Sequence, residues 1–367
     1  KDHQSCQFLS KRAPDESHEF TWKEVTTTRG GELAEILGDQ LRSVDSLVVK
    51  GYVNDKDFHA MWDASLYGYL SVINLKNAVL ENNAVPDTAF FHGNEQYEGS
   101  SHEIFYYIGL RKIILPEGLE KIGEGAFYQA SALRQVNFPS TLRYIGDFAF
   151  NATKLEMNQL VIPEGVEEIN QYAFAFCRKL KAQVTLPSTI KKIGEWAFYG
   201  CPITSINLPE GLESLGSLAF WDCDLREVSI PSSCHEFNEG WQFGFNRNLE
   251  KMHLPEGMTE IPDHFAVDCF RLREVNFPHT LKHIGEKAFS LCISLKNVDL
   301  PLGMQSLGEE AFSELEALEQ IVFPASMKSL GKNSCSYWKN IKRIYCAAME
   351  PPVCDPTDGG VFSGFDF

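Results

Sequence analysis

With 367 residues and a hydrophobic content of 44%, the chain has the composition of an ordered protein and could hold two or three ordinary domains. Its 50 acidic and 33 basic residues give a formal charge of −17, which excludes a general nucleic-acid binder because such a surface repels phosphate. No segment approaches the roughly 18 consecutive apolar residues of a membrane-spanning helix.

Residues 1–29 are polar and irregular and are predicted to be a tail or linker, or the start of a cap. Residues 30–69 read as an N-terminal cap of two short helices and a strand. The stretch from Glu32 to Leu41 carries Leu33, Ile36, Leu37 and Leu41 at helical spacing, interrupted by Gly38; a strand follows at Ser46 to Lys50, and a second amphipathic helix at Asp55 to Leu66. Residues 70–109 form a degenerate first repeat, with a strand at Leu70, Ile73 and Leu75 and a return arm from Val85 to Phe90. About fourteen residues are then inserted, among them Tyr97, Tyr106 and Tyr107, as either a capping element or a ligand-contact loop.

Residues 110–346 repeat regularly. Leu281 to Pro301 (LKHIGEKAFSLCISLKNVDLP) shows the pattern, L-x-x-I-G-x-x-A-F-x-x-C-x-x-L-x-x-V-x-L-P, and the closing prolines, Pro116 through Pro324, recur every 22–24 residues. A period in that range marks stacked repeats rather than a closed globular core. The alternation in L-x-x-V-x-L suits a short strand with inward apolar side chains. Proline ends the strand, and a following glycine, such as Gly118 or Gly303, permits a turn. One coil offers about seven apolar side chains at roughly 1.5–3 kcal/mol each, against about 1–2 kcal/mol of backbone entropy for each of its residues. A coil is therefore stable only when stacked, and its strands should join neighbours in a parallel sheet. Residues 347–367 read as a closing coil.

Five of the ten cysteines, Cys177, Cys201, Cys223, Cys269 and Cys292, fall at one repeat position, where Ala130, Thr153, Phe245, Leu315 and Trp338 stand in other coils. Such a site is an inward packing position for a free thiol, although a bridge from Cys201 to Cys177 or Cys223 lies within reach of stacked rungs. The unit containing Phe237 to Phe245 is irregular, with Trp241 in the place of the usual alanine.

No catalytic or phosphate-binding motif is present; His279 and His283 fall on a turn, and Asp263 and His264 should point apart. No cofactor or metal ligand set emerges. Binding has better candidates. Phe148, Tyr172 and Trp196 precede the repeat alanine in successive coils, and Tyr199, Trp221 and Phe243 follow the repeat phenylalanine. Stacking aligns equivalent positions about 4.8 Å apart, so these rings should form two rows, which either mark a partner surface or pack coil to coil. On the strand face, Asn207, His253 and Asn276 belong to a polar floor that suits a peptide or glycan, or simply solvent. Strand residues such as Arg134, Arg273 and Lys296 make that face mixed to mildly basic, while acids gather in the turns and return arms.

The segments LPEGLEKIGEGAF (Leu115 to Phe127), LPSTIKKIGEWAFYGC (Leu186 to Cys201) and FPHTLKHIGEKAFSLC (Phe277 to Cys292) closely resemble the BspA-like class of bacterial leucine-rich repeats. GELAEILGDQLRSVDSLVVKG (Gly31 to Gly51) and IYCAAMEPP resemble the capping segments of such proteins from Bacteroidetes. The resemblance implies a leucine-rich repeat solenoid, a right-handed superhelix with one parallel β-sheet on its concave face, and turns, 3-10 segments or short strands on the convex side. It also implies export to the cell surface, often as an outer-membrane lipoprotein whose anchor cysteine lies upstream of Lys1, and many relatives continue past the position of Phe367. The start at Lys1 fits a trimmed cytosolic chain or an exported one whose signal is removed. The function expected is adhesion to, or recognition of, a host or microbial protein or glycan by a monomer without catalysis. The alternative is a self-assembling structural protein of a surface layer.

Overall fold

The computed structural model describes residues 18–91, 108–354 and 360–364. The chain divides into two compact units, Lys1–Leu180 and Lys181–Phe367, and in each the backbone winds through a stack of parallel-strand coils. Tyr97, Tyr106 and Tyr107 lie outside the described residues.

The first unit opens with strand β1 (Trp22–Thr27), which pairs in parallel with β2 (Ser46–Val53). The expected tail thus contains the first strand, because Val25 and Thr27 both find buried places. Between the strands lie helix α1 (Leu33–Leu37) and a 3-10 turn over Gly38–Arg42, so Gly38 ends the helix as its position suggests. Helix α2 (Asp55–Tyr67) starts with a capping box between Asn54 and Asp57. The buried Asp57 carboxylate accepts N–H bonds from Gly31 (2.7 Å), Leu33 (2.9 Å) and Asn54 (3.0 Å), tying the start of α1 to the start of α2. Phe58 of α2 then meets Phe90 edge-on, at the head of a column of rings. Strand β3 (Val72–Leu80) continues the sheet, followed by Lys112–Ile114 and Gln135–Val136.

Each regular coil has three hydrogen-bonded sides. The first is the strand side, such as Gln183–Thr185 beside Ser205–Asn207, or Glu227–Ser229, Lys251–His253 and Glu274–Asn276 in register. The second is a two-residue strand in the return arm, such as Lys121–Ile122, Tyr144–Ile145 and Glu168–Ile169. The third is a turn in which alternate N–H groups bond to the next coil: Phe148, Phe150 and Ala152 donate to the carbonyls of Gln171, Ala173 and Ala175 at 2.8–3.0 Å. That turn holds two residues per coil at positive φ, most of them not glycine, for example Phe148 (56°) and Ala152 (58°), or Trp241 (66°) and Phe245 (59°). The conformation costs about 1–2 kcal/mol per residue; the N–H bonds that it aims at the next coil offset it.

Inside, the repeat phenylalanines stack. Phe90, Phe127, Phe150 and Phe174 lie 5.2–5.4 Å apart and nearly parallel in the first unit, and Phe198, Phe220 and Phe243 lie 5.5–5.6 Å apart in the second. The column turns at Phe265, which meets Phe243 at 76°. Here the usual Ala-Phe order is reversed to Phe265-Ala266, while the backbone keeps its register, since Ala266 donates to Ala288 as Phe289 donates to Ala311.

The cysteine position does more than fill space. Cys177, Cys223 and Cys269 point Sγ at the carbonyls of Phe150, Phe198 and Phe243, at 3.1–3.3 Å, and Trp338 Nε1 does the same to Phe312 at 2.7 Å. The position therefore takes a donor that satisfies a buried carbonyl of the preceding coil. In the irregular unit the residue there is Asn246, not Phe245, and its amide bonds the Phe220 carbonyl at 2.7 Å. All nine described cysteines are free thiols. Burial pushes Cys234, Cys269 and Cys335 up to about 12, and Cys223 and Cys292 well above the usual thiol value. Alkylation of the native protein at pH 8 should mark Cys346 and Cys354, which are exposed, and spare the other seven described thiols until denaturant is added; peptide mapping by mass spectrometry checks this.

From Pro116 to Pro278 the turns after the prolines alternate between Pro-Glu-Gly and a Pro followed by Ser or His and then Thr or Ser. Glu210 accepts the Ser232 N–H (3.1 Å) and hydroxyl (3.0 Å), and Gly211 N–H bonds Ser233 Oγ (2.9 Å). Glu256 likewise takes the His279 N–H and ring nitrogen at 3.2 and 3.0 Å. Gly303, which lacks this Glu, does not adopt positive φ, unlike Gly118, Gly211 and Gly257. Backbone donation from Ser232 holds Glu210 below the ordinary carboxylate value of 4.5, and the His279 side chain does the same for Glu256. A lowered folded-state value means stability that is present above the ordinary value and is lost as pH falls through the folded one. Below about pH 4.5 the denaturation midpoint should drop, and less so in the Glu210→Gln/Glu256→Gln variant, in a urea titration repeated across pH.

Candidate binding surface

Positive φ throws the side chains of the turn outward, so aromatic residues at these positions lie half-buried along the turn face. In the first unit Phe148 stacks on Tyr172 at 4.7 Å and 7°, with Tyr128 edge-on to Phe148 and Phe91 beyond it. The second unit holds the larger group. Trp196 lies 4.3 Å from Tyr199. Trp221 lies 4.5 Å from Phe245 and 5.2 Å from Trp241, which stacks on His264 at 3.6 Å. Arg247 covers the rings of Phe245 and Phe270 at 5.6 and 5.5 Å.

Phe243 does not belong to this surface. It is fully buried in the phenylalanine column, because one extra residue at Glu239-Gly240 shifts the pattern and puts Phe243 at the core position. The same shift places Gln242, not Trp241, at the alanine position, where it is wholly buried, and moves Trp241 into the outward row. Trp241, Phe245 and His264 therefore join the surface without having been expected there; the Gly240 in EGW was the signal of the insertion.

Gly244 sits beneath Trp221. A Cβ there would stand 2.1 Å from the indole Cζ3 atom, so the indole lies flat on the backbone of the next coil only because the residue is glycine. Other coils carry Ala175, Val267 or Ser290 at the position of Trp221, so coil stacking itself does not require a ring there. His264 is held neutral to lower pH, chiefly by its own burial, while Glu286 Oε1 at 3.8 Å acts against this.

The strand face is largely self-satisfied. Asn276 bonds the Leu254 N–H (2.9 Å) and carbonyl (3.0 Å) of the coil before it, so its amide serves the stack. His253 faces Glu227 at 3.2 Å, Lys251 faces Glu274 at 3.2 Å, and Lys296 faces Glu319 at 3.4 Å. Asn207 is exposed at the end of its strand. His283 Nδ1 lies 2.7 Å from Ser306 Oγ, and the N–H groups of both residues are spent on the ladder, to Thr259 and Lys282. Among the described residues no group of three or more side chains is arranged to hold a metal ion, and no helix is long and apolar enough to cross a membrane.

Gly244→Ala should lift the Trp221 indole off the backbone. Tryptophan emission is expected to shift to longer wavelength while the circular dichroism spectrum stays that of the parent, and an unchanged emission maximum would contradict the fit described above.

The described geometry agrees with what the sequence is similar to. Residues 100–184, 182–282 and 264–349 match the BspA type leucine rich repeat region, in six copies. Among solved structures, a leucine-rich repeat protein from Bacteroides ovatus is 23% identical over 75% of this chain and 78% of its own, with a TM-score of 0.49. A leucine rich cell surface protein from Faecalibacterium prausnitzii is 21% identical over 77% of this chain and 84% of its own, with a TM-score of 0.40. The T. pallidum leucine rich repeat protein is 28% identical over 44% of this chain and 68% of its own, with a TM-score of 0.36. No curated protein matches. With the match spanning more than half its length, this chain belongs to the family of BspA-type leucine-rich repeat proteins.

Proposed function

We propose that this protein is a non-enzymatic recognition protein of the bacterial surface that holds an extracellular protein or glycan on the turn face of its second unit. The observation that carries the reading is the flat seat of Trp221 on Gly244, flanked by Trp241 and Phe245. Half-exposed indoles with rigid backing supply large contact area at low entropic cost, which is how binding hot spots are built. BspA-type repeats are typical of surface-associated proteins, which supports outward display, and a lipid anchor is the form of attachment that the resemblance implies.

A second reading, contact between copies in a surface layer, is favoured by the strand Arg343–Cys346. It is exposed along its whole length and carries Ile344 and Tyr345, with Met349 and Val353 close by in sequence and more exposed still. The two readings separate in one experiment. The purified protein and its Trp196→Ser/Trp221→Ser/Trp241→Ser variant are applied to an array of host matrix proteins and glycans, and both are run in sedimentation velocity. Recognition predicts a monomer with an array signal that falls at least about tenfold in the folded variant, the loss expected for one hot-spot ring. A signal that survives in the variant removes the turn face as the site, and concentration-dependent association without any array signal favours the second reading.

A further inference from the structure

In the second unit the strand side runs unbroken through Glu227–Ser229, Lys251–His253 and Glu274–Asn276, and the turn side through the Trp241, Phe243 and Phe245 N–H bonds to the next coil. The return-arm side does not. One sheet ends at Glu236–Phe237 and the next begins at Glu260–Ile261, although these arms belong to adjacent coils.

The cause is Pro262. In most other coils this position is glycine, with Asn170 and Asn238 as exceptions that keep an N–H, and it lies hard against the coil before it: a Cβ on Gly285, Gly308 or Gly331 would stand 2.6–2.7 Å from backbone atoms there. The same glycines donate N–H to the carbonyls of Ile261, Ile284 and Leu307 at 2.8–2.9 Å. Proline has neither the small size nor the N–H, so the arm of Pro262 stands off. Two further bonds go with it. Where Lys282 and His283 donate to Thr259, and Gln305 and Ser306 to Lys282, the N–H groups of Thr259 and Glu260 have no backbone partner among the described residues, nor do the carbonyls of His235 and Phe237.

Between the two arms is a cleft of about 450 Å³, within the range of ligand sites. Cys234 and Met258 are buried at its floor, and Phe237 is half-exposed in its wall. Glu236 and Glu260 stand exposed, one on each arm.

We propose that this cleft is a strand-acceptor slot for an extended, basic polypeptide segment of a partner protein. Its main chain would accept from Thr259 and Glu260 and donate to His235 and Phe237, completing the ladder that Pro262 interrupts. One apolar side chain would rest on Phe237 and Met258, and basic side chains would face Glu236 and Glu260. Unpaired donors and acceptors on two strand edges match a peptide main chain, which carries both groups along one extended segment. The slot is separate from the turn face and does not depend on it.

The probe is the peptide acetyl-Lys-Val-Lys-Val-Lys-amide, titrated by calorimetry, with amide exchange followed by mass spectrometry. Binding is expected, with slowed exchange at Thr259 and Glu260. Affinity should fall at least about tenfold when the valine amides are N-methylated, when glutamate replaces lysine in the peptide, or in Pro262→Gly, as the loss of two hydrogen bonds or of the charge match would give. Pro262→Gly restores the repeat residue, so the variant keeps the fold and closes the slot. No binding of the lysine peptide, equal binding to Pro262→Gly, or binding without slowed exchange at Thr259 overturns the proposal. An array signal from the aromatic face should be untouched by Pro262→Gly, so failure of one reading leaves the other standing.

Discussion

The close approach of each coil to the next, held by backbone hydrogen bonds on three sides, is the constraint from which the rest of each unit follows. Coils about 4.8 Å apart leave little room for a side chain at the point where return arms cross, and glycine recurs there, with asparagine in two coils. The same spacing brings the repeat phenylalanines into face-to-face columns. It also makes positive φ tolerable at residues as large as Phe148 and Trp196, because each N–H so placed has a carbonyl waiting in the neighbouring coil. Side-chain bonds reinforce it at two further places, the clamp of Glu210 on Ser232 and the inward donors at the cysteine position.

Much of this was legible in the sequence because the repeat samples each position many times. A position that reads Ala, Cys, Leu and Trp is plainly inward, and one that reads Glu, Lys, Tyr and Trp is plainly outward. The donor role of the cysteine position was not legible, since alanine and leucine occur there as well, and the reach of Cys177 Sγ to the Phe150 carbonyl of the preceding coil appears only in three dimensions. Strand β1 was missed for another reason. It lies before the first recognisable repeat, and its Lys23 and Glu24 mask the alternation that Val25 and Thr27 complete.

The candidate site was read less well than the fold. Counting forward from the previous coil put Phe243 on the surface, when a single added residue had moved it inward and Trp241 outward. Period-based reading fails at an insertion, and the surviving clue is chemical. Gln242 in an alanine slot and Asn246 in a cysteine slot are both too polar for their surroundings unless they bond to backbone; their amide nitrogens do, at Asn238 and Phe220, while Gln242 Oε1 stays buried without a partner. Irregularities of this kind lie close together from Phe237 to Ala266, the same stretch that carries Trp241 and Pro262. In a repeat protein, departures from the consensus are where a particular member has been shaped.

The inward thiols set how this protein meets oxidants. Folded, seven described cysteines are buried free thiols, out of reach of solvent-borne disulfides. Unfolded, successive members of the same set lie between 11 and 43 residues apart along a flexible chain, spacings at which thiols find one another readily. In an oxidising compartment, opening of the second unit would thus be followed by random pairing that no longer permits the coils to restack. The lifetime of the native state there is governed by how rarely the stack opens, not by the equilibrium between folded and unfolded forms.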